Sequence, residues 1–398
     1  MTAARPGTTI PLPRFGALWF CYFAAIGAFN PYAPLWFKEL GFSTLAIGTI
    51  AALQSWTRVL APYGWGWLGD HSGQRVRLIR IGALVSLIAA AGLLVARQYY
   101  WVAACTVLLF LANGAVVPLA EAALARQLQA TGEGMQRYGR VRVWGSVGFI
   151  CAVLLYGWVL QVAGIAWFPA LALLTYVALW VASLRVPAVR DEVAGHETAP
   201  PVLAVLRRPE VAWFFASVCL TVLAHTALYA FFSLFLDSRG FGKSTVGFLW
   251  AVSVAAEIVF FWVQARVFAR ASPHGWLQWA SATSALRFGM IAALGDSMAA
   301  LVLAQALHAI TFAAQHVACI VLINHHFPGS LRGRGQALYT TLGYGIPGVV
   351  GGIGGGWLSS HFGFGAVFWA AGVAALAGWG CAWQSSRCAA RAPGAGPA

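Results

Sequence analysis

Apolar stretches long enough to cross a lipid bilayer follow one another along almost the whole of this 398-residue chain. An apolar helix of about 20 residues spans the hydrocarbon layer. With charged residues and Gly/Pro/Ser clusters as breaks, such stretches run near 15–37, 44–68, 78–96, 100–125, 141–162 and 164–184. Six more run near 210–236, 244–268, 276–294, 297–324, 334–359 and 363–385. The expected fold is therefore an all-α membrane protein with twelve transmembrane helices. Composition points the same way: 9% of the residues are charged, against roughly 25% in soluble domains, too few to cover a water-facing surface of this size.

The net charge of +14 would suit nucleic acid only if the basic residues formed a stripe. They occupy short gaps between apolar runs instead, which is a topology signal and excludes a nucleic-acid partner. With the N-terminus placed inside, 18 of the 25 Lys and Arg fall in inner loops and tails, and only Lys38, Arg97, Arg239 and Lys243 in outer ones. Both termini are thus expected in the cytoplasm of a bacterial-type inner membrane. Arg5, Arg14 and three prolines precede a first apolar stretch too long for a signal-peptide core, so that helix is read as retained. Seven scattered cysteines show no paired spacing and read as small hydrophobes.

Leu35-Trp-Phe-Lys38-Glu39-Leu40-Gly41-Phe42 recurs as Leu234-Phe-Leu-Asp237-Ser238-Arg239-Gly240-Phe241, at an offset of 199 residues. That offset is half the chain and carries the first interhelix connection onto the seventh, which implies duplication of a six-helix unit. Two six-helix bundles are expected, residues 1–185 and 210–398, related by a pseudo-two-fold axis along the membrane normal. Residues 186–209, with Asp191, Glu192, Glu197 and several prolines, read as a cytoplasmic linker between them.

With Arg80, Glu210, Arg266 and Arg334, at the ends of their runs, counted in the inner loops, three arginines and two glutamates remain inside the apolar runs. Arg58 lies 12 residues before Asp70, about 18 Å along a helix and near the midplane. The 199-residue offset maps it onto Glu257. A charge at that depth costs at least about 2.5 kcal/mol unless it is paired or faces a wet cavity. Arg58 and Glu257 are therefore expected at a central cavity, either as a bridge holding the halves together or as a pair opened by substrate and proton. Glu121 and Arg142 form a second candidate pair nearer the cytoplasm. His225, Tyr229 and Phe232 share one helix face, as do His308, Thr311 and Gln315, and both stripes suit a cavity wall or interhelical glue. Tyr32, Trp36, Trp56, Trp144 and Trp250 are further candidates for aromatic walls. The glycines from Gly343 to Gly356 suit close helix packing or a gate.

Gly66-Trp-Leu-Gly-Asp70-His71-Ser-Gly73-Gln74-Arg75 resembles the loop signature of the major facilitator superfamily, with His71 and Gln74 where that signature has basic residues. Gly66, Asp70, Gly73 and Arg75 are its matching conformational-loop positions, and the substitutions imply weaker charge pairing. Tyr138-Gly-Arg-Val-Arg142-Val-Trp144-Gly145-Ser146-Val-Gly148-Phe149, after Pro118-Leu-Ala-Glu121, resembles the phenylpropionate-permease group, relatives of lactose permease. The resemblance covers nearly the whole chain. It implies substrate contacts at Glu121 and Arg142 and a proton-coupling role for Arg287 and His308. Where lactose permease has a glutamate three residues past that histidine, this chain has Thr311. Threonine carries no proton near neutral pH, so Glu257 becomes the leading proton-coupling candidate, with His225, His308 and His316 as other titratable groups.

No Ser/His/Asp constellation, metal spacing or phosphate-binding loop stands out, so neither an enzyme nor a cofactor is expected. The three intramembrane arginines exceed the two glutamates by one charge, which an anionic substrate would balance. The expected function is proton-coupled uptake of a small organic solute by alternating access, an aryl carboxylate such as phenylpropionate, with Arg58 and Tyr229 among its contacts. A sugar or nucleoside symporter and a membrane-embedded sensor are the alternatives. The expected partners are the solute, protons and the lipid bilayer, with the chain read as a monomer.

Overall fold

The computed structural model describes residues 12–130, 135–187 and 202–391. Its first half runs α1 (Leu12–Phe29), α2 (Ala33–Glu39), α3 (Thr44–Ser72), α4 (Arg75–Gly92), α5 (Tyr99–Asn113), α6 (Val116–Ala130), α7 (Met135–Ala163) and α8 (Phe168–Leu184). The second runs α9 (Leu203–Leu206), α10 (Pro209–Ser238), α11 (Lys243–Phe268), α12 (Pro273–Leu294), α13 (Met298–Ala306), α14 (Gln315–His326), α15 (Arg332–Leu338), α16 (Ile346–Phe362) and α17 (Phe364–Arg391). Most of the linker expected over 186–209 lies outside the described residues, as do Arg5 and the other residues before Leu12.

Helix covers each of the twelve apolar stretches, but only eight of the described helical runs are long and apolar enough to cross a membrane. The less apolar ones include α3, α4 and α12, which carry Arg58, Arg75 and Arg287. Their polar residues lower the mean hydropathy because one side of each helix faces protein or cavity rather than lipid. Two runs change pitch: π-helical turns occupy Ala309–Ala314, between α13 and α14, and Tyr339–Gly345, between α15 and α16.

The repeated segment folds alike in both copies. Gly41 and Gly240 each have a φ of 82°, a left-handed conformation open to glycine at little cost. Around them Phe42 N–H donates to the Phe37 carbonyl at 3.1 Å and Phe241 N–H to the Leu236 carbonyl at 3.0 Å, the same helix-ending turn.

Within the first half α1 packs on α7 and α8; within the second, α17 packs on α10 and α12. The halves meet where α3 lies on α16 and α7 on α11. These contacts are close because glycines remove the side chains: a Cβ at Gly352 would sit 2.7 Å from the Gly48 carbonyl oxygen, and one at Gly157 would sit 2.8 Å from the Lys243 carbonyl oxygen. Polar links reinforce the end that carries the Gly41 and Gly240 turns. Lys38 Nζ meets Asp237 Oδ2 at 2.7 Å, Lys243 N–H donates to Gln161 Oε1 at 2.6 Å, and Ser244 Oγ donates to the Gly157 carbonyl at 3.3 Å. Lys38 and Asp237 are equivalent positions of the repeat, so the duplicated segment pairs with itself through opposite charges. Both are partly exposed, and such a pair contributes at most about 1 kcal/mol; backbone packing does more to close this end.

Candidate functional site

Burial without lipid-like neighbours defines the first part of the site. Arg287 on α12 is completely buried, and a buried guanidinium must be hydrogen-bonded to persist. Its Nη1 reaches His308 Nδ1 at 2.7 Å and Thr311 Oγ1 at 3.1 Å, while Nη2 reaches Gln305 Oε1. Arginine can only donate, so Nδ1 of His308 must be the unprotonated nitrogen. Its proton then sits on Nε2, which lies 2.9 Å from Glu257 Oε1 on α11. A neutral imidazole thus connects the arginine to the carboxylate, and Glu257 can gain a proton on its other oxygen without losing this bond.

A second branch follows the same logic. His225 Nδ1 faces the Thr221 carbonyl at 2.8 Å and so carries its proton there, leaving Nε2 to accept from Thr311 Oγ1 at 3.2 Å. Thr311 therefore takes a bond from Arg287 and gives one to His225. The position where the lactose-permease relatives have an acid is occupied by a neutral relay, and Glu257 is the carboxylate of this network. The expected Arg58–Glu257 pair is not formed: Glu257 turns to His308, inside its own half.

The second part is a cavity between the halves, lined by Asn30, Gln54, Arg58, Thr226, Tyr229 and Tyr344 among others. Arg58 is exposed there and forms no hydrogen bond or ion pair with any described residue. Tyr229 joins the two parts, because its ring lines the cavity while packing edge-on to His308 at 6.4 Å and stacking on Trp250 at 6.2 Å.

Glu121 and Arg142 are not paired either. Tyr138 Oη donates to Glu121 Oε1 at 3.0 Å, while Arg142 makes cation–π contact with the Phe23 ring at 4.2 Å and the Trp19 ring at 5.1 Å. In the loop signature, Asp70 and Arg75 form an ion pair at 2.7 Å, and Gly73 ends α3 with a φ of 62°. The pairing survives the loss of the neighbouring basic residues: Gln74 Oε1 accepts from Arg77 and His71 Nδ1 meets the Trp67 carbonyl.

Among the aromatic candidates, Tyr229 lines the cavity, whereas Tyr32, Trp36, Phe232 and Trp250 are buried in the core and Trp56 and Trp144 are exposed. Of the first histidine stripe only Tyr229 is a cavity wall, since His225 serves the buried network. In the second, His308 and Thr311 both bond to Arg287 of α12, as interhelical glue would, and a π-helical turn lies between His308 and Gln315. Sequence reading missed Asn30, Gln54 and Tyr344. Gln54 was discoverable as a polar residue one turn before Arg58 on the same helix face.

Long apolar helices in two halves, a polar cavity between them and a charged network beside it define a multi-pass membrane transporter of the major facilitator type. The chain belongs to the MFS_1 like family, whose model matches residues 12–370. It is 28% identical over 363 residues to the "Probable 3-phenylpropionic acid transporter" of Escherichia coli (strain K12), covering 90% of this chain and 93% of that one. It is 27% identical over 272 residues to the maltose permease of Geobacillus stearothermophilus, covering 67% and 66% of the two chains. A solved mutant form of the nucleoside transporter NupG superposes with a TM-score of 0.81 at 16% identity, over 95% of this chain and 99% of that one, a likeness of fold. These relatives are transporters rather than enzymes.

Proposed function

We propose that the protein is a proton-coupled secondary transporter, of bacterial inner-membrane type, that takes up an aryl carboxylate such as phenylpropionate by alternating access between its halves. One observation carries the reading: Arg58, exposed at the cavity it lines with Tyr229 and Tyr344, has no hydrogen-bond or ion-pair partner among the described residues. A guanidinium in such a place is a preformed fork for a carboxylate, and the named function of the Escherichia coli relative supports that substrate class. Glu121 and Arg142 fit a substrate route rather than a lock, because they do not hold each other. The proton belongs on Glu257. Since Arg58 and Glu257 are separate, coupling runs through Tyr229, whose ring is shared by the substrate cavity and the His308–Glu257 pair. The maltose permease likeness favours a second reading, a sugar symporter, in which Arg58 would hold hydroxyls.

Replacing Arg58 by Lys separates the two. Charge is kept and the fork is lost, so binding of the acid should weaken by about tenfold, with the neutral amide of the same compound unchanged. Equal losses for acid and amide would make Arg58 structural, and an unchanged affinity for the acid would remove it from the site.

A further inference from the structure

A side-chain amide offers two donors on nitrogen and two lone pairs on oxygen, and where it leaves water it must find partners for them. Gln54 Nε2 donates to Asn30 Oδ1 at 3.0 Å. Gln54 Oε1 and Asn30 Nδ2 make no further hydrogen bond among the described residues, and neither is sealed away as a buried orphan. Both side chains line the cavity, so the pair retains an acceptor and a donor that a ligand there can use. Exchanging oxygen and nitrogen in both amides leaves the same outcome, one donor and one acceptor.

Position supplies the rest. Asn30 stands at the break between α1 and α2, and Gln54 precedes Arg58 by one turn of α3, about 6 Å along its axis. The amide pair is nearer the end closed by Lys38 and Asp237, and Arg58 lies farther from it. Phe29, Phe37, Ile50 and Tyr229 supply apolar wall to the same cavity. A substrate held at Arg58 by its carboxylate therefore directs its ring toward a paired donor and acceptor. A hydroxyl group, which donates and accepts at once, is the complement of that pair; a bare ring edge would strip water from both amides and return nothing.

We propose that Asn30 and Gln54 read a ring hydroxyl, so that the substrates of choice are hydroxylated aryl carboxylates, carboxylate on Arg58 and phenol on the amide pair. The inference rests on Arg58 as the carboxylate anchor. Sites built to hydrogen-bond a hydroxyl discriminate strongly against the analogue lacking it; in a partly wet cavity the preference should be at least about tenfold.

The test is a binding titration of the purified full-length protein in detergent with phenylpropionate and its ortho-, meta- and para-hydroxylated forms. At least one hydroxylated acid should bind about tenfold more tightly than the unsubstituted acid. In Gln54→Leu the ratio of the two affinities should fall to about one, chiefly through loss of affinity for the hydroxylated acid; Gln54→Met gives the same comparison if the leucine variant does not fold. Equal binding of all four acids by the wild type would overturn the hydroxyl reading and leave Arg58 as anchor. Binding of none of them would overturn the anchor and the inference with it, and an unchanged preference in a folded Gln54 variant would reduce the amide pair to a brace between α1 and α3.

Discussion

Arg58, without a counter-ion among the described residues, lines the cavity, and Glu257 belongs to the network beside it. Glu257 is the carboxylate bonded within that network, and its partner His308 is fixed as a neutral donor by Arg287. Glu257→Gln keeps an acceptor oxygen for His308 but cannot take up a proton. We expect it to abolish accumulation driven by a proton gradient while retaining substrate counterflow, since exchange need not release the proton. Full accumulation in this variant, measured as radiolabelled substrate at steady state, would place the proton elsewhere. That Arg58, Glu257, Arg287 and His308 would face a cavity or other polar groups was legible in the sequence, because lipid cannot accommodate them. Whom they pair with was not. Pairing of Arg58 with Glu257 was read from equal depth in the two halves, but depth leaves rotation about each helix axis open, and Glu257 turns to His308. Thr311 was singled out in the sequence by resemblance alone, and its bond to His225 depends on two helices whose separation the sequence does not state.

At the scale of helices, close contact between the halves is made by glycine rather than by charge. The α3–α16 contact brings backbone against backbone at Gly48 and Gly352, where an added Cβ at Gly352 would lie 2.7 Å from one oxygen and 2.9 Å from the Ala52 nitrogen. Neither is the end of a flexible side chain, so the helices must separate to admit one. Gly352→Val should hold this end open, and a cysteine at the buried position 47, in a background with the native cysteines replaced, should react severalfold faster with an impermeant maleimide. Unchanged reactivity in a folded variant would show that α16 yields in some other way. The glycine run was visible in the sequence, and close packing was one of the two readings it allowed. The π-helical turns at Ala309–Ala314 and Tyr339–Gly345 were invisible, because a change from i→i+4 to i→i+5 bonding has no reliable residue signature. His308 and Thr311 nonetheless converge on Arg287, as the reading of that stripe as interhelical glue allowed.

For the whole molecule, the offset of 199 residues was the most informative feature of the sequence, because it reappears as equal φ values at Gly41 and Gly240 and as the Lys38–Asp237 contact across the halves. Orientation rests on the asymmetry of Lys and Arg, and reporter fusions after Arg80, after Arg208 and at the C-terminus should all report the cytoplasm; an external signal from any one of them would invert the scheme. Alternating access then requires the end closed by Lys38 and Asp237 to open while the other closes, with proton and substrate bound between. The most direct test is the initial rate of phenylpropionate entry into proteoliposomes held alkaline inside. Because the undissociated acid crosses lipid unaided, protein-free vesicles under the same gradient set the reference. The account predicts a saturable rate above that reference which grows with the imposed gradient and is lost in Glu257→Gln. A rate equal to the protein-free reference, or one indifferent to the gradient, would contradict it.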